Sequence, residues 1–423
     1  MNVAVVGAGR IGLPLATVLA TRGHNVVACD IDQERVAAIS AGRSPFPDEA
    51  GLAAALSAVV ESGALCATSE TTAAVRDRTV VLFAVAVDVG EDGRADLSPL
   101  LSACDDVAAG LQPDALCIFD TTLPPGTTRN VLVPRLEAAG KTLGKDFHAA
   151  FSPERLLMGR VIEDLGKYPK VVGGLDERSG ERAAQFFADA LGVDVLRLAS
   201  AEAAELSKIA EGVYRDLNIA LANELARAAD LMGVDIGEVT EAANSQPFCH
   251  LHTPGTGVGG HCIPVYPRFL MQTEAPSSLA ALGRRVNDEM PGYAVSRLGD
   301  VLGGLLGKRV LVLGLTFRPD VAVTSHTNAQ DLLRELSAAG AHVEGHDPLL
   351  TDEGVRSLGF APAGGLSGNY DAVIVHAHHK AYADVRWDEL APVMLDARNA
   401  LQRQLVESQG VRYFGIGRPI TPD

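Results

Sequence analysis

Residues 255–267 read GTGVGGHCIPVYP, a stretch in which four glycines lead up to a single thiol, Cys262. A thiolate is a nucleophile, and a glycine turn exposes backbone N–H groups that stabilise both a thiolate and an oxyanion. His261 beside it offers a positive neighbour, although adjacent side chains often point apart. The bland alternative is an inert buried thiol, the commoner fate of a lone cysteine. That reading suits Cys29, Cys66, Cys104, Cys117 and Cys249. It suits Cys262 poorly, because a packed thiol needs neighbours and here their side chains are missing.

A second chemistry sits at the start. In VAVVGAGRIG, Gly7, Gly9 and Gly12 hold the G-x-G-x-x-G spacing after a strand and before a helix, with Arg10 and Ile11 between the last two. Such a turn lets backbone approach a pyrophosphate at a helix N-terminus. Asp30, at the end of the next strand, can accept both ribose hydroxyls and would repel a 2′-phosphate, so NAD is expected over NADP. Arg35 can stack on adenine or equally shield a 2′-phosphate. A glycine turn with no ligand explains Asp30 poorly. Soft ligands also occur near Cys249, His250, His252, His261 and Cys262, and again at 376–379, but their spacing matches no zinc pattern, and no metal is expected.

These groups need a scaffold. The 423 residues suit two or three domains, and 47% apolar content is ample for their cores. NVAVVGAG, NVVACD, TVVLFAV, ALCIFDTT and HAAFSP read as strands separated by helical stretches, with KVVGG and DVLRLA as edge strands. That alternation predicts a parallel, doubly wound sheet. Residues 201–243 switch to one long helix and a shorter one, and near Lys308 the strand–helix rhythm restarts. The fold expected is α/β: two Rossmann-like domains, 1–197 and 297–423, joined by a central helical domain, 198–296. A net charge of −17 argues against nucleic acid and anionic membrane as partners. Six scattered cysteines, no leader and no spanning run fit a reduced cytoplasmic setting.

Five stretches in order, GAGRIGLPLA, DTTLPPGTTR, FSPERLLMGR, AELSKIAEGVYRDLNIALANELA and PGTGVGGHCIPVYPRFL, together with GLTFRPDV, carry a resemblance to the UDP-glucose/GDP-mannose dehydrogenase family. The chain looks most like the branch that oxidises UDP-N-acetylhexosamines, whose uronic acids serve polysaccharide biosynthesis. The resemblance implies a two-step NAD-dependent oxidation of a sugar C6 alcohol. Cys262 would be the nucleophile, with Lys208 on the C6 oxygen, Thr122 binding a water and Glu154 serving that water. It further implies Arg155, Gly257, Gly259, Arg318 and Arg398 as contacts to a nucleotide sugar, and a homodimer built on the long helix.

The match has gaps. The family's K-x-x-x-N ends here in Gly212, and the aspartate four residues after the cysteine is Tyr266. V-P-T-P appears as VAVD at 85–88, and a cofactor-contacting arginine is Ser325. Two enzyme readings stay open: a rearranged surrounding shell with full oxidation to the acid, or drift to a single oxidation or an NAD-retaining reaction. A non-catalytic binding protein would lose the nucleophile before the cofactor turn, and the reverse holds here. A 3-hydroxyacid-type dehydrogenase lacks a place for the third domain and for the thiol.

Overall fold

The computed structural model describes residues 1–90, 92–273 and 278–420, which form two compact units: 1–211 with 268–275, and 212–267 with 276–423. The first unit is built on strands β1 (Asn2–Val6), β2 (Asn25–Cys29), β3 (Leu65–Thr68), β4 (Val80–Phe83), β7 (Ala115–Phe119), β8 (Phe147–Phe151), β9 (Lys170–Gly174) and β10 (Val195–Leu198). A hairpin of β5 (Asp88–Val89) and β6 (Ala95–Asp96) stands apart, and the VAVD stretch leads into it. The sheet order is β10-β9-β8-β7-β4-β1-β2-β3. Its central strands β4, β7 and β8 are buried along their whole length, as strands covered on both faces must be.

The sheet is mixed rather than wholly parallel. β9 runs antiparallel to β8, with Ala150 opposite Gly174 and Phe151 opposite Gly173. Return to a parallel neighbour needs a crossover, usually a helix, over one face. The 152–169 connection carries only a one-turn helix, Val161–Asp164, so the chain turns straight back. The crossover follows instead between β9 and β10, on the helix Glu177–Leu191, which buries Ala183, Phe186, Phe187 and Ala190. β3 also went unread in the sequence, because its LCAT is short and half-exposed at the sheet edge.

The second unit holds a six-stranded parallel sheet of β11 (Arg309–Leu313), β12 (His342–His346), β13 (Ala361–Pro362), β14 (Ala372–Val375), β15 (Val393–Asp396) and β16 (Arg412–Gly415). Their order is β13-β12-β11-β14-β15-β16. The helix Asn328–Ala338 covers one face, sinking Ala329, Leu332 and Leu336 into a core with Val310, Val312, Ile374 and Leu395. Between the two sheets in sequence lie the long helix Ala201–Met232 and the shorter Ile236–Asn244. Among the described residues, no helix is long and apolar enough to cross a membrane.

Candidate active site

The dinucleotide turn closes at the carboxyl end of β1. Gly7 sits at φ +95°, where a Cβ would meet the Ala84 carbonyl oxygen at 2.7 Å; one on Gly12 would stand 1.8 Å from Gly7 O. Those two glycines are required by the turn itself. Gly9 is different: a Cβ there meets nothing within 4 Å, so its side of the turn is open to a ligand. Asp30 faces the turn, its Oδ2 accepting the Ala8 N–H at 2.9 Å and its Oδ1 the Asp32 N–H at 3.0 Å. Arg35 is held by two carboxylates, Nη1 to Asp30 Oδ2 at 2.9 Å and Nη2 to Asp32 Oδ2 at 3.2 Å. A guanidinium so neutralised is poorly placed to hold a 2′-phosphate, which favours the ribose hydroxyls of NAD. The residues therefore fit a dinucleotide. Arg10 pairs with Asp48 at 2.7 Å over the Phe46 ring, and Ile11 packs on the core.

Along the same carboxyl edge, beyond β7 and β8, stand Asp120, Thr122 and Glu154. Lys170 joins them because β9 runs backwards: Gly173 pairs with Phe151 at the end of β8, so the first residue of β9 falls just past that end. Lys170 Nζ lies 3.0 Å from Asp120 Oδ1 and 3.5 Å from Glu154 Oε2. Burial pulls that ammonium down, but the two carboxylates outweigh it, and the net shift is upward. Burial is likewise the largest influence on Asp120, whose carboxyl is pushed up to about 6 despite Lys170. Glu154 Oε1 accepts the Arg155 and Leu156 N–H groups at 2.5 and 2.7 Å, which fixes its orientation. The sequence reading missed Lys170 and Asp120. A lysine opening an edge strand looks solvated; only the antiparallel register turns it inward.

The long helix contributes Lys208, only 9% exposed, with Glu211 Oε2 3.7 Å from its Nζ. Arg155 is tied to Glu211 Oε1 at 3.5 Å and to the Pro169 carbonyl. Three residues before Lys208, the fully buried Glu205 accepts the Gly126 N–H at 2.5 Å, the Thr128 N–H at 2.9 Å and the Thr128 hydroxyl at 2.6 Å. This carboxylate, also missed, moors the loop that carries Thr122 to the helix that carries Lys208. Glu205→Ala strands the half-buried Gly126 N–H and the buried N–H and hydroxyl of Thr128, and is expected to cost about 2–4 kcal/mol in urea unfolding, with Glu205→Gln recovering part.

In the second unit the glycine run has a function other than the expected one. A Cβ on Gly260 (φ +91°) would fall 2.5 Å from the Phe317 ring; one on Gly259 would fall 2.8 Å from His326 O. A Cβ on Gly257 (φ +96°) would fall 2.8 Å from Asn287 O. The glycines let the loop press against the TFRPD segment and its neighbours, rather than emptying the surroundings of sulfur. Arg318 lies over the same Phe317 ring, its Cζ 5.7 Å from the centroid. Gly255 N–H is held by Asn223 Oδ1 at 2.9 Å, and Asn223 in turn by the buried Asn287 at 2.9 Å. Cys262 itself is half-buried, and its carbonyl accepts the Tyr266 N–H at 3.0 Å.

Arg398 follows β15 with its guanidinium beside Gly255, where a Cβ would meet Nη1 at 3.4 Å. Among the described residues no carboxylate pairs with that guanidinium, which burial destabilises as a cation. The histidine-rich stretch at 376–379 is internally committed. His376 Nδ1 contacts Gly314 O at 2.8 Å, and burial pushes its ring down to about 3. His379 Nδ1 accepts the Asp320 N–H at 2.9 Å, and its Nε2 lies 3.0 Å from Asp347 Oδ2. Among the described residues, no three such side chains gather to hold a metal ion.

Family models agree with this layout along the chain. The NAD binding domain of the UDP-glucose/GDP-mannose dehydrogenase family matches residues 1–191, its central domain 202–289, and its UDP binding domain 311–403. The chain belongs to the UDP-glucose/GDP-mannose dehydrogenase family. It is an oxidoreductase acting on a CH–OH group, its cofactor is NAD, and its substrate is a nucleotide sugar. Among relatives, the UDP-N-acetyl-D-mannosamine dehydrogenase of Pyrococcus horikoshii is 31% identical over 430 residues, covering 99% of both chains. The UDP-N-acetyl-D-glucosamine 6-dehydrogenase of Pseudomonas aeruginosa is 32% identical over 401 residues, 91% of this chain and 92% of that one. The solved structure of the Pyrococcus horikoshii UDP-D-ManNAc dehydrogenase matches with a TM-score of 0.89 at 30% identity, covering 99% of each chain.

Proposed function

We propose that this member oxidises the C6 alcohol of a UDP-N-acetylhexosamine, or a related UDP-hexose, to the uronic acid in two steps. The observation that carries the reading is the family match along the chain with Cys262 retained in its glycine loop. NAD, when bound, supplies the hydride acceptor for each oxidation. Lys208 holds the C6 oxygen and stabilises the negative charge that grows there as the hydroxyl proton passes to water, before hydride leaves carbon and the C=O bond forms. The Cys262 thiolate then adds to the aldehyde carbon, forming a C–S bond while the oxygen takes a proton. The hydroxyl proton then returns to water as the second hydride leaves the same carbon, which turns that thiohemiacetal into a thioester. Water held by Thr122 and oriented by Glu154 attacks the acyl carbon, the C–S bond breaks, and acid and thiol are released. Arg398 answers the substrate diphosphate with a guanidinium that no carboxylate of the described residues pairs with, and the family resemblance adds Arg155, Gly257, Gly259 and Arg318 as contacts to the nucleotide sugar.

The deciding experiment mixes purified protein with NAD and a panel of UDP- and GDP-hexoses and counts NADH per sugar acid. Two NADH per acid is the expected result. One NADH with free aldehyde would mean a single-oxidation enzyme, and cofactor binding without turnover would mean a binding protein. The N-acetylhexosamines are the favoured panel members because the relatives named above carry that specificity in their names. Arg398→Ala is expected to weaken UDP binding about 10- to 100-fold in a calorimetric titration, with kcat moved far less.

The same reading includes a homodimer. In the second unit Phe248, Leu231 and Met232 are 92%, 91% and 69% exposed, and Leu279 is exposed nearby in sequence. Apolar side chains left bare in a helical domain are explained by a second copy covering them. Light scattering on the purified chain checks it. All six cysteines are free, in keeping with a reducing cytoplasm.

A further inference from the structure

We propose that Tyr266 is a positioning residue for the Cys262 turn, and that Gly212 exists to receive its ring. The inference rests on the reading of Cys262 as the nucleophile. Gly212 is the only glycine in the helix Ala201–Met232, where glycine is a poor helix former and needs a reason. The reason is steric. A Cβ at 212 would stand 2.6 Å from Tyr266 Cδ2 and 2.8 Å from Tyr266 Cβ. The second atom is not the far end of a flexible side chain, so the neighbour cannot yield cheaply. Tyr266 is buried, and its ring lies against the helix backbone at the one position where the helix offers no side chain.

Tyr266 also governs the cysteine through the main chain. Its N–H donates to the Cys262 carbonyl at 3.0 Å, and the Val265 N–H does so at 3.3 Å, closing the turn that precedes the helix Tyr266–Met271. Upstream, Gly259 and Gly260 are pressed on His326, Asn328 and Phe317. The thiol therefore stands between two anchored points, glycines on one side and the Tyr266 ring on the other. Gly212 and Tyr266, the two positions where the family pattern carries a side chain and an acid, are one matched substitution. Either change alone fails: a side chain at 212 collides with the ring, and an acid at 266 leaves the helix groove unfilled.

The test uses the full-length protein with Gly212→Ala, Tyr266→Phe, Tyr266→Leu and the Gly212→Ala/Tyr266→Leu pair. One readout needs no substrate: the pH profile of Cys262 alkylation by iodoacetamide, followed by mass spectrometry of its peptide. The other is the ratio of aldehyde, caught with a hydrazine trap, to acid. Tyr266→Phe should match the parent. Gly212→Ala and Tyr266→Leu should each shift the alkylation rate about tenfold and lower acid formation about 10²-fold while aldehyde still forms, the loss expected from displacing a reacting group by about 1 Å. The pair should be no worse than either single change, because both break one contact. Parental alkylation and product ratio in Gly212→Ala and Tyr266→Leu, or effects that add in the pair, would overturn the proposal. If Gly212→Ala does not fold, Tyr266→Leu against Tyr266→Phe decides. Failure of the parent to oxidise any sugar sinks the proposed function alone, since alkylation still reports on the turn.

Discussion

Cys262→Ser is expected to abolish acid formation, by about 10⁴-fold or more, while leaving the first oxidation measurable in the presence of an aldehyde trap. A serine hydroxyl is a much weaker acid than a thiol and is scarcely ionised at neutral pH, so the adduct on the aldehyde does not form and the second hydride lacks the tetrahedral carbon it leaves from. In the proposed mechanism the first step draws on Lys208 and the cofactor and not on the thiol. Rapid-quench analysis with a hydrazine trap should therefore return one NADH per trapped sugar aldehyde, against two per acid in the parent. Acid produced at the parental rate by Cys262→Ser would remove the covalent mechanism. A full loss of NADH formation would instead mean that the thiol acts before the first oxidation. Cysteines elsewhere make the contrast useful: burial pushes the Cys29 and Cys104 thiols up to about 12, and Cys117 higher still. At neutral pH these three stay protonated inside the first sheet and its flanking helix.

Much of this architecture was legible because it is written in short-range patterns. Strand–helix alternation, the G-x-G-x-x-G turn and the acid ending β2 are each set by local sequence, and they lie where their spacing put them. The glycine loop was legible as a site but not in its physics. Glycine types alone do not distinguish a loop cleared for a ligand from one pressed against its own chain, and Phe317 and Asn328 lie far along the sequence. Strand direction was not legible either. KVVGG has the composition of a parallel or an antiparallel strand alike; what decides is the missing crossover helix between β8 and β9. That one reversal carries Lys170 from an apparent solvent edge to the mouth of the sheet. Glu205 was hidden for a related reason. An acid on a helix rich in Glu and Ala looks like surface charge until the loop at 126–128 is known to dock on it.

Lys170→Met carries the largest expected penalty outside the thiol, and its sign with pH follows from what it leaves behind. The side chain of Met fits the volume, but Asp120 and Glu154 remain buried with no cation between them. Removing one partner of a buried ionic cluster typically costs about 3–5 kcal/mol. In the parent, Asp120 binds its proton more tightly folded than unfolded, with a carboxyl at about 6 against an ordinary value of 3.8. The stability such a group contributes is full below its unfolded value and is lost as pH rises through the folded one. Lys170 is raised from 10.5, so its contribution is intact throughout the neutral range. Without the ammonium, the Asp120 carboxyl rises further and the losing window extends upward. Urea unfolding at pH 5 and pH 8 should thus show the gap between variant and parent widening with pH. Lys170→Met/Asp120→Asn, which deletes one charge of each sign, should recover much of the loss at pH 8. Acid release should also fall, by about 10²–10⁴-fold, because Glu154 Oε2 loses the ammonium 3.5 Å away that holds it in place for the proposed attacking water. A Lys170→Met protein as stable as the parent at pH 8 would mean that the three groups are solvated, and that the reversed strand does not build part of the site.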